Sequence, residues 1–268
     1  MHKKLLVLDI DGTLANSHKE ISEATKAAVI GLMKRGHYCM LASGRPLCGM
    51  EWAARRLEFE KYGGYLLAYN GAQIVRFDTM EIVCERKVPV SMLPNVYDFA
   101  VKHHCGLISY ENNCIISANG VNEYIELESR INQMPIKEVE NFPTYFQEDV
   151  VKCLFCIDPD RAETLLKKLK ETIVGDVEIF RSEPFYIEIM PKGVDKASSI
   201  AQMLPMLGIG QKDVVACGDG FNDISMIRFA GVGVAMGNAQ DALKAVADVV
   251  TDTNDNDGLI PIIEKYFD

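Results

Sequence analysis

The stretch Lys4-Leu5-Leu6-Val7-Leu8-Asp9-Ile10-Asp11-Gly12-Thr13-Leu14 decides the fold of this chain. Its apolar run is typical of a buried parallel strand and ends at two carboxylates, Asp9 and Asp11. Open α/β sheets bind their ligands at this carboxyl end of the strands. Residues i and i+2 of an extended segment point the same way. Because two like charges on one face are costly without a cation, the stretch predicts a site for a hard divalent ion such as Mg²⁺.

The composition is that of a globular protein with an acidic surface. Of the 268 residues, 48% are hydrophobic, and the formal net charge is −10. The length suits one large domain or two smaller ones. Because surfaces that bind nucleic acids are basic, we expect no nucleic-acid partner. An acidic protein can still bind an anionic small molecule where it concentrates cations locally.

The cysteines lie mostly in apolar runs, which is typical of small buried residues in a reducing compartment. There are eight, at positions 39, 48, 84, 105, 114, 153, 156 and 217. Cys153 and Cys156 have the spacing of a metal or redox pair, but they lie in a strand-like run, where positions i and i+3 face opposite sides. No second pair follows, so the spacing favours buried thiols over a metal site.

The sequence predicts neither export nor membrane insertion. The apolar run after Lys3-Lys4 is interrupted by Asp9, too early for a signal peptide. No apolar run approaches the length of a membrane span. We therefore expect a cytoplasmic protein with no membrane partner.

Strand-like and helix-like segments alternate at both ends of the chain, which is the βαβ rhythm of a parallel sheet. Strands are predicted at 4–9, 37–42, 65–69, 213–217, 232–236 and 247–251. Helices are predicted at 22–35, up to about 60, and at 195–207, 222–230 and 241–246. Ser22 is a preferred N-cap residue and Gly36 follows the end of its helix, whereas we expect Pro205 to end or bend its helix early.

The middle of the chain has a different pattern, in which hairpins mix with helices. Strands are predicted on both sides of Asn112-Asn113 and at 177–180 and 185–190, and Asp158 with Pro159 opens a helix at 159–172. We therefore predict an α/β fold with a Rossmann-like parallel sheet core from 1–81 and 191–268. Residues 82–190 are predicted to form an inserted α+β domain.

Four segments near predicted strand ends or helix starts carry chemistry suited to a phosphoryl group. They are Asp9-x-Asp11, Ser43-Gly44-Arg45, Lys196, and Gly218-Asp219-Gly220-Phe221-Asn222-Asp223. A hydroxyl and the backbone amides beside a glycine can bind phosphate oxygens, and aspartates offer hard metal ligands. Each segment alone also fits an ordinary turn or a solvated lysine. Together they form the group that phosphoryl transfer requires.

On these motifs the chain resembles the haloacid dehalogenase superfamily of aspartyl phosphatases, within it the Cof-type subgroup. The four segments match the four motifs of the superfamily in order, with Ser43 where threonine is commoner. The insertion between the second and third motifs lies where this subgroup carries its cap domain. Asn70-Gly71-Ala72 also resembles a loop of the subgroup next to the site. The resemblance covers essentially the whole chain.

The resemblance implies a two-step hydrolysis. Asp9 would attack phosphorus and form an aspartyl-phosphate, while Asp11 would first protonate the leaving alcohol and then deprotonate water. Mg²⁺ would be held by Asp9, the backbone carbonyl of Asp11, and Asp219, with Asp223 as a direct or water-mediated ligand.

The resemblance also implies which residues bind the substrate. Ser43 and Lys196 would bind the transferring phosphoryl oxygens, and Asn222 would orient Lys196 or the phosphate. Weaker candidates for contact with the phosphate or with the route to the cap are Gly44, Arg45, Asn70 and Gly71. For Arg45, a solvent-facing position or a structural ion pair is an equal alternative.

The implied function is a Mg²⁺-dependent phosphatase of small phosphorylated metabolites, sugar phosphates foremost, whose cap selects the leaving group. No obligate protein partner is inferred. A phosphosugar mutase is one alternative, because an aspartyl-phosphate can be returned to a bound sugar. A non-catalytic sugar-phosphate sensor is another, although a sensor has no need of the second carboxylate, Asp11. Cleavage of a carbon–phosphorus bond would need an imine-forming lysine in the cap, for which the sequence offers no clear candidate.

Overall fold

The structure is a computed structural model that describes residues 2–267. The strands, numbered along the chain, are β1 (Leu5–Leu8), β2 (Tyr38–Ala42), β3 (Tyr65–Ala68), β4 (Gln73–Arg76), β5 (Glu81–Glu85), β6 (Gly106–Glu111), β7 (Cys114–Ala118), β8 (Ile136–Glu138), β9 (Cys153–Cys156), β10 (Val177–Glu183), β11 (Tyr186–Pro191), β12 (Val214–Gly218), β13 (Val232–Ala235) and β14 (Val249–Val250). The helices are α1 (Glu23–Lys34), α2 (Leu47–Arg56), α3 (Phe59–Tyr62), α4 (Leu93–His103), α5 (Glu123–Asn132), α6 (Phe142–Tyr145), α7 (Pro159–Thr172), α8 (Lys196–Leu207), α9 (Ile224–Phe229), α10 (Asp241–Lys244) and α11 (Ile260–Phe267).

These elements form two compact units. The first contains the described residues up to Glu85 and those from Asp195 onward, and the second is Arg86–Val194. The first unit extends beyond residue 81 because β5 pairs with β4 in its sheet. It resumes only at Asp195, because β11 reaches Pro191 in the second sheet and the Lys192 amide still donates to Asp176 there.

The described residues of the first unit form one eight-stranded sheet in the order β14-β13-β12-β1-β2-β3-β4-β5. β1 lies inside it, parallel to both β12 and β2, and its side chains Leu5–Leu8 are fully buried. The strands from β14 to β3 are all parallel, which confirms the predicted α/β class. The hairpin β4–β5 adds two antiparallel strands at one edge, so the sheet is mixed where a purely parallel one was expected.

Local signals placed most helices of this unit correctly. The Ser22 side chain accepts from the Thr25 amide at 3.0 Å, and Gly36 follows α1 with φ +87°. Pro205 does not end its helix early, because α8 continues to the predicted Leu207, with Gly208 as its C-cap. Proline fixes a φ close to the helical value and removes one hydrogen bond, which the last turn tolerates here.

Two further helical features differ from the prediction. The helix expected to continue to about residue 60 is split into α2 and α3 at Glu58, whose φ is +57°. Helix α11 was not predicted; it buries Ile262, Ile263 and Phe267. None of the helices in residues 2–267 combines the length and the apolar composition that a membrane crossing requires.

The second unit is a six-stranded sheet, within its described residues, in the order β10-β11-β9-β6-β7-β8. Helices α4 and α7 bury side chains such as Phe99 and Leu165 in one apolar cluster with Phe155 of β9. Helix α7 begins as predicted, with Asp158 as its N-cap and Pro159 at its first position. Cys153 and Cys156 are buried free thiols, which agrees with the structural interpretation of that pair.

Candidate active site

The parallel order β12-β1-β2-β3 places the carboxyl ends of four strands side by side in the first unit. The loops that follow these strands contain the predicted motifs at Asp219–Asp223, Asp9–Thr13, Ser43–Arg45 and Asn70–Gly71. Lys196, at the start of α8, contacts two of these loops. The sheet topology thus brings motifs from both ends of the chain to one edge.

Lys196 is the centre of this arrangement, and its side chain is fully buried. The Nζ atom donates to Asp9 Oδ1 at 2.7 Å, to Asp223 Oδ1 at 2.5 Å and to the Ala42 carbonyl at 2.8 Å. Burial alone would lower the pKa of Lys196, but the charges and hydrogen bonds of Asp223 and Asp9 outweigh burial and raise it. The lysine is therefore a fixed cation between two of the motifs.

Gly71, in the loop after β3, allows the start of α8 to approach that loop closely. Its φ is +112°, and a Cβ there would lie 2.6 Å from the Asp195 carbonyl oxygen. The Gly71 carbonyl accepts from the Ser199 hydroxyl at 2.8 Å. Gly71 thus lies against the first turn of α8, and its predicted contact with the phosphate or with the route to the cap stays a prediction.

Three carboxylates form an acidic cluster around the lysine: Asp9, Asp219 and Asp223. One oxygen of each lies within 4.8 Å of the others. Burial, and then the charge of Asp223, raises the pKa of Asp9, while Lys196 opposes the increase. Burial likewise raises the pKa of Asp219 to about 6. Since one ammonium does not balance three acids, and hard oxygen donors suit Mg²⁺, these residues fit a divalent cation.

Asp223 has less capacity for a metal than the other two acids. Its Oδ2 atom accepts from the amides of Asp219 at 3.0 Å and Gly220 at 2.9 Å, which fills both lone pairs. Its Oδ1 atom accepts from Lys196 and keeps one lone pair for a further contact. Asp223 therefore holds the turn and the lysine in place, and only Oδ1 can serve a cation.

Gly12 lets the loop after β1 lie directly against Asp219. Thr13 Oγ1 donates to Asp219 Oδ1 at 2.9 Å, and the Gly12 backbone has φ +82°. A Cβ at Gly12 would lie 2.3 Å from Asp219 Oδ2, closer than nonbonded atoms can approach. Only glycine fits both this conformation and this contact.

The Gly12→Ala variant is expected to lose turnover of the phosphorylated substrates that the motifs predict by about 100-fold or more, because the new methyl displaces the Asp219 carboxylate. Gly36→Ala is the matched control: Gly36 has φ +87°, but a Cβ there would meet nothing within 4 Å. Alanine at a positive φ is strained in both variants. Urea unfolding should therefore show that this strain lowers the free energy of unfolding by a similar amount in each. Equal activity of the two variants would contradict the contact argument.

Asp11, the predicted acid and base, is held by two cations in this structure. Arg45 donates to its carboxylate through Nε at 2.7 Å and Nη2 at 3.0 Å, and Lys19 Nζ donates at 2.9 Å. Burial raises the pKa of Asp11, but the hydrogen bonds and charges of Arg45 and Lys19 outweigh it and lower the pKa. Of the possibilities for Arg45, the structure shows the ion pair, with Asp11, and contact of Arg45 with the phosphate or the route to the cap stays a prediction.

The remaining predicted residues Ser43, Gly44 and Asn70 lie in the loops next to the Asp11–Arg45 ion pair. Ser43 is buried, its amide donates to the Leu67 carbonyl at 2.9 Å, and its hydroxyl accepts from the Arg45 amide at 3.2 Å. A Cβ on Gly44 would lie 3.1 Å from Nδ2 of Asn70, so these two loops are in contact.

The structure shows Asn222 bonded to Asn70 and not to Lys196, while its predicted role toward the phosphate stays a prediction. We expected Asn222 to orient Lys196 or the phosphate, but its Nδ2 atom donates to Asn70 Oδ1 at 3.2 Å. The three acceptors of Lys196 Nζ do not include it. The reason is its place in the short turn before α9, where Asp223 points to the lysine and Asn222 toward the loop after β3.

Within residues 2–267, sequence reasoning missed several residues that touch the motif loops, among them the side chains of Lys19, Asn238 and Asn254. Lys19 contacts Asp11, while Asn238 and Asn254 donate to the carbonyls of Gly12 and Ala15. The available signal for the asparagines was their position after β13 and β14, at the same carboxyl edge as the motifs. Lys19 gave no signal, because a lysine in a polar loop is ordinarily solvated.

An acidic cluster around a buried lysine, at the carboxyl edge of a parallel sheet, is an arrangement suited to the transfer of phosphoryl groups. Comparison with known proteins identifies the family: the model of the haloacid dehalogenase-like hydrolases matches residues 6–263. The chain therefore belongs to the haloacid dehalogenase-like hydrolase family, as a phosphatase of the Cof type that the motifs predicted.

Individual relatives cover nearly the whole chain. The 5-amino-6-(5-phospho-D-ribitylamino)uracil phosphatase YcsE of Bacillus subtilis is 31% identical, over 98% of this chain and 95% of its own. A haloacid dehalogenase-like hydrolase from Bacteroides thetaiotaomicron has a similar crystal structure, with a TM-score of 0.92 and 39% identity over 99% of this chain and 100% of its own. The subclass IIB sugar phosphatase BT4131 has a TM-score of 0.79 and 27% identity over 98% of this chain and 99% of its own.

Proposed function

We propose that this phosphatase is Mg²⁺-dependent and hydrolyses small phosphorylated metabolites, sugar phosphates foremost, through an aspartyl-phosphate on Asp9. The single observation that carries the proposal is the buried contact of Lys196 with both Asp9 and Asp223. It joins a carboxylate at the end of a central strand to a fixed cation, in a cluster of acids that fits a divalent ion.

Asp9, Asp219 and the backbone carbonyl of Asp11 are the proposed holders of Mg²⁺, with Asp223 Oδ1 as a further one. When bound, the cation supplies charge stabilisation to the phosphoryl oxygens and keeps the acids ionised. Lys196 adds a second, permanent positive charge to the same site. This explains how a carboxylate can attack a phosphate that is itself negative.

In the first step, a carboxylate oxygen of Asp9 attacks phosphorus and the ester P–O bond breaks. Lys196 occupies Oδ1 of Asp9, and among the described residues no donor contacts Oδ2, which leaves Oδ2 for the attack. The leaving oxygen takes a proton from Asp11. Because Arg45 and Lys19 hold Asp11 as the anion, both contacts must loosen before Asp11 can carry that proton.

In the second step, water attacks the phosphorus of the aspartyl-phosphate. Asp11, now deprotonated, takes the proton of the water, and the bond between Asp9 and phosphorus breaks. The products are inorganic phosphate and the free Asp9 carboxylate. Ser43 and Lys196 are the proposed contacts of the transferring phosphoryl oxygens in both steps. The three N–H donors of Lys196 are engaged in this structure, so its contact requires the exchange of one present acceptor for a phosphoryl oxygen.

The proposed substrate class rests on named relatives, and the proposed location rests on the state of the cysteines. YcsE is named as the phosphatase of a phosphorylated ribityl compound and BT4131 as a sugar phosphatase, so polyhydroxylated leaving groups are the proposed substrates. We assign selection of the leaving group to Arg86–Val194, the inserted unit. A cytoplasmic location is proposed because the eight cysteines are all free thiols.

Phosphate release should be measured over a panel of phosphorylated sugars, nucleotides and cofactors, with Mg²⁺ and with EDTA. We expect turnover of several sugar phosphates, spread by 10- to 200-fold in kcat/KM. Chelation should lower the rate by at least about 1,000-fold, because the acidic cluster then repels the phosphate.

Two outcomes would contradict the proposal. Full activity in EDTA would exclude a requirement for Mg²⁺. Isomerised sugar phosphate without free phosphate would indicate a mutase. A chelated sample to which Mg²⁺ is added back is the control for irreversible loss of the fold.

A further inference from the structure

The loop after β13 is bonded to both acid-bearing loops of the site. Asn238 Nδ2 donates to the Gly12 carbonyl at 2.8 Å, and the Gln240 amide donates to the Asp219 carbonyl at 2.9 Å. Gly12 directly follows Asp11, and Asp219 belongs to the acidic cluster. One three-residue segment therefore bridges the two loops, in addition to their direct contact at Thr13 and Asp219.

A second asparagine completes the connection. The Asn254 amide donates to Asn238 Oδ1 at 3.0 Å, and Asn254 Nδ2 donates to the Ala15 carbonyl at 2.9 Å. Both polar atoms of the Asn238 side chain are thus engaged, and the loop after β1 is held at Gly12 and at Ala15. We call Asn238 and Asn254 the asparagine clamp.

The clamp acts where the backbone is freest. Each residue has two soft backbone torsions, and glycine samples the widest range of them. Gly12, at φ +82°, therefore permits the peptide between Gly12 and Thr13 to rotate, and the carbonyl of that peptide is the one that Asn238 holds. The Asn238 amide supplies that restraint. Its side chain is exposed, so it adds little to the apolar core.

We propose that the asparagine clamp positions Asp11 and Gly12 for the reaction, an inference that rests on the proposed function. Asn238 and Asn254 are positioning residues: they act through the backbone of the loop after β1. A loop released from the clamp keeps its residues but samples geometries in which Asp11 is displaced. Displacement of a reacting group by about 1 Å is enough to lower a rate by about 100-fold.

The test compares Asn238→Ala and Asn254→Ala with Asn256→Ala. Asn256 is the matched control, because it lies in the same loop as Asn254 and its Nδ2 donates to Asp252 at 3.1 Å. With p-nitrophenyl phosphate and Mg²⁺, we expect kcat to fall about 100-fold in the clamp variants while KM changes less than about 3-fold. Hydrogen exchange of the segment 12–15 should accelerate in them and stay unchanged in Asn256→Ala.

Asn238→Asp separates positioning from packing. It has the shape of asparagine and still accepts from the Asn254 amide, but it sets a carboxylate oxygen against the Gly12 carbonyl. We expect it to be impaired at least as much as Asn238→Ala. Near-normal kcat in Asn238→Asp would overturn the proposal, because shape alone would then suffice.

Other results would also overturn it. Unchanged exchange at 12–15 in Asn238→Ala would show that the clamp does not hold the loop. Faster exchange with unchanged kcat would show that the loop need not be held. If the wild type hydrolyses no phosphomonoester, the proposed function fails, and the exchange measurement alone decides whether the clamp restrains the loop.

Discussion

Asp9→Asn is expected to lower kcat by at least about 10⁴-fold, the scale of loss when a nucleophile is removed. Asparagine keeps the shape of aspartate but its amide is no nucleophile toward phosphorus. The variant should stay folded, since one negative charge leaves a crowded acidic cluster and Lys196 can still donate to the side-chain oxygen. Phosphate release under saturating substrate measures the loss.

Trapping the intermediate makes the same prediction specific. Acid-quenched enzyme treated with ³²P-labelled substrate should carry label in the wild type and none in Asp9→Asn. Asp11→Asn is the matched variant at the neighbouring carboxylate. With p-nitrophenyl phosphate, whose leaving group needs no proton, it should accumulate label, because the water of the second step is no longer activated. Label on Asp9→Asn, or its turnover above a few per cent of wild type, would end the assignment of the nucleophile.

Lys196→Met is expected to cost about 3–5 kcal/mol of unfolding free energy, because Asp9 and Asp223 would remain buried without their cation. Activity should fall by at least about 1,000-fold, since the site loses its permanent positive charge. Urea unfolding in EDTA measures the stability, so that a bound cation does not mask the loss. The same samples, with Mg²⁺ restored, give the phosphate release.

Two further variants serve as controls for Lys196→Met. Lys212→Met removes an exposed lysine of the same unit and should leave both quantities nearly unchanged. Lys196→Arg keeps the charge but replaces a compact ammonium with a planar guanidinium, so it should recover part of the stability and little of the activity. A Lys196→Met variant as stable as Lys212→Met would show that the buried contacts do not matter to the fold.

The sequence predicted the elements that follow from local chemistry. β1 was read from its apolar run, α1 and α7 from their N-caps at Ser22 and Asp158, and the family from motifs in the right order. The hairpin β4–β5 was missed, because β4 is only four residues long and β5, the edge strand, is exposed or half-buried throughout. Helix α11 gave a weak signal for a similar reason: it is short, and packing rather than propensity stabilises it.

Side-chain contacts within the site were predicted less well than the motifs themselves. The sequence left Asn222 open between Lys196 and the phosphate, and the structure shows that Asp223, not Asn222, contacts the lysine. It left Arg45 open between substrate contact and an ion pair, and the structure shows the ion pair with Asp11. Such contacts depend on torsions in loops, for which a single sequence contains no periodic pattern.

By itself, the sequence determined that an apolar strand ends in two carboxylates, that three further motifs follow in a fixed order, and that an inserted domain separates them. These conclusions depend on backbone periodicity and on residue chemistry, which are local. Only the tertiary structure decided that Lys196 lies between Asp9 and Asp223, 187 and 27 residues away, and that Asn238 contacts Gly12 across 226 residues. Distances of this kind are set by how parallel strands pair across the sheet, and that pairing joins segments which no local pattern connects.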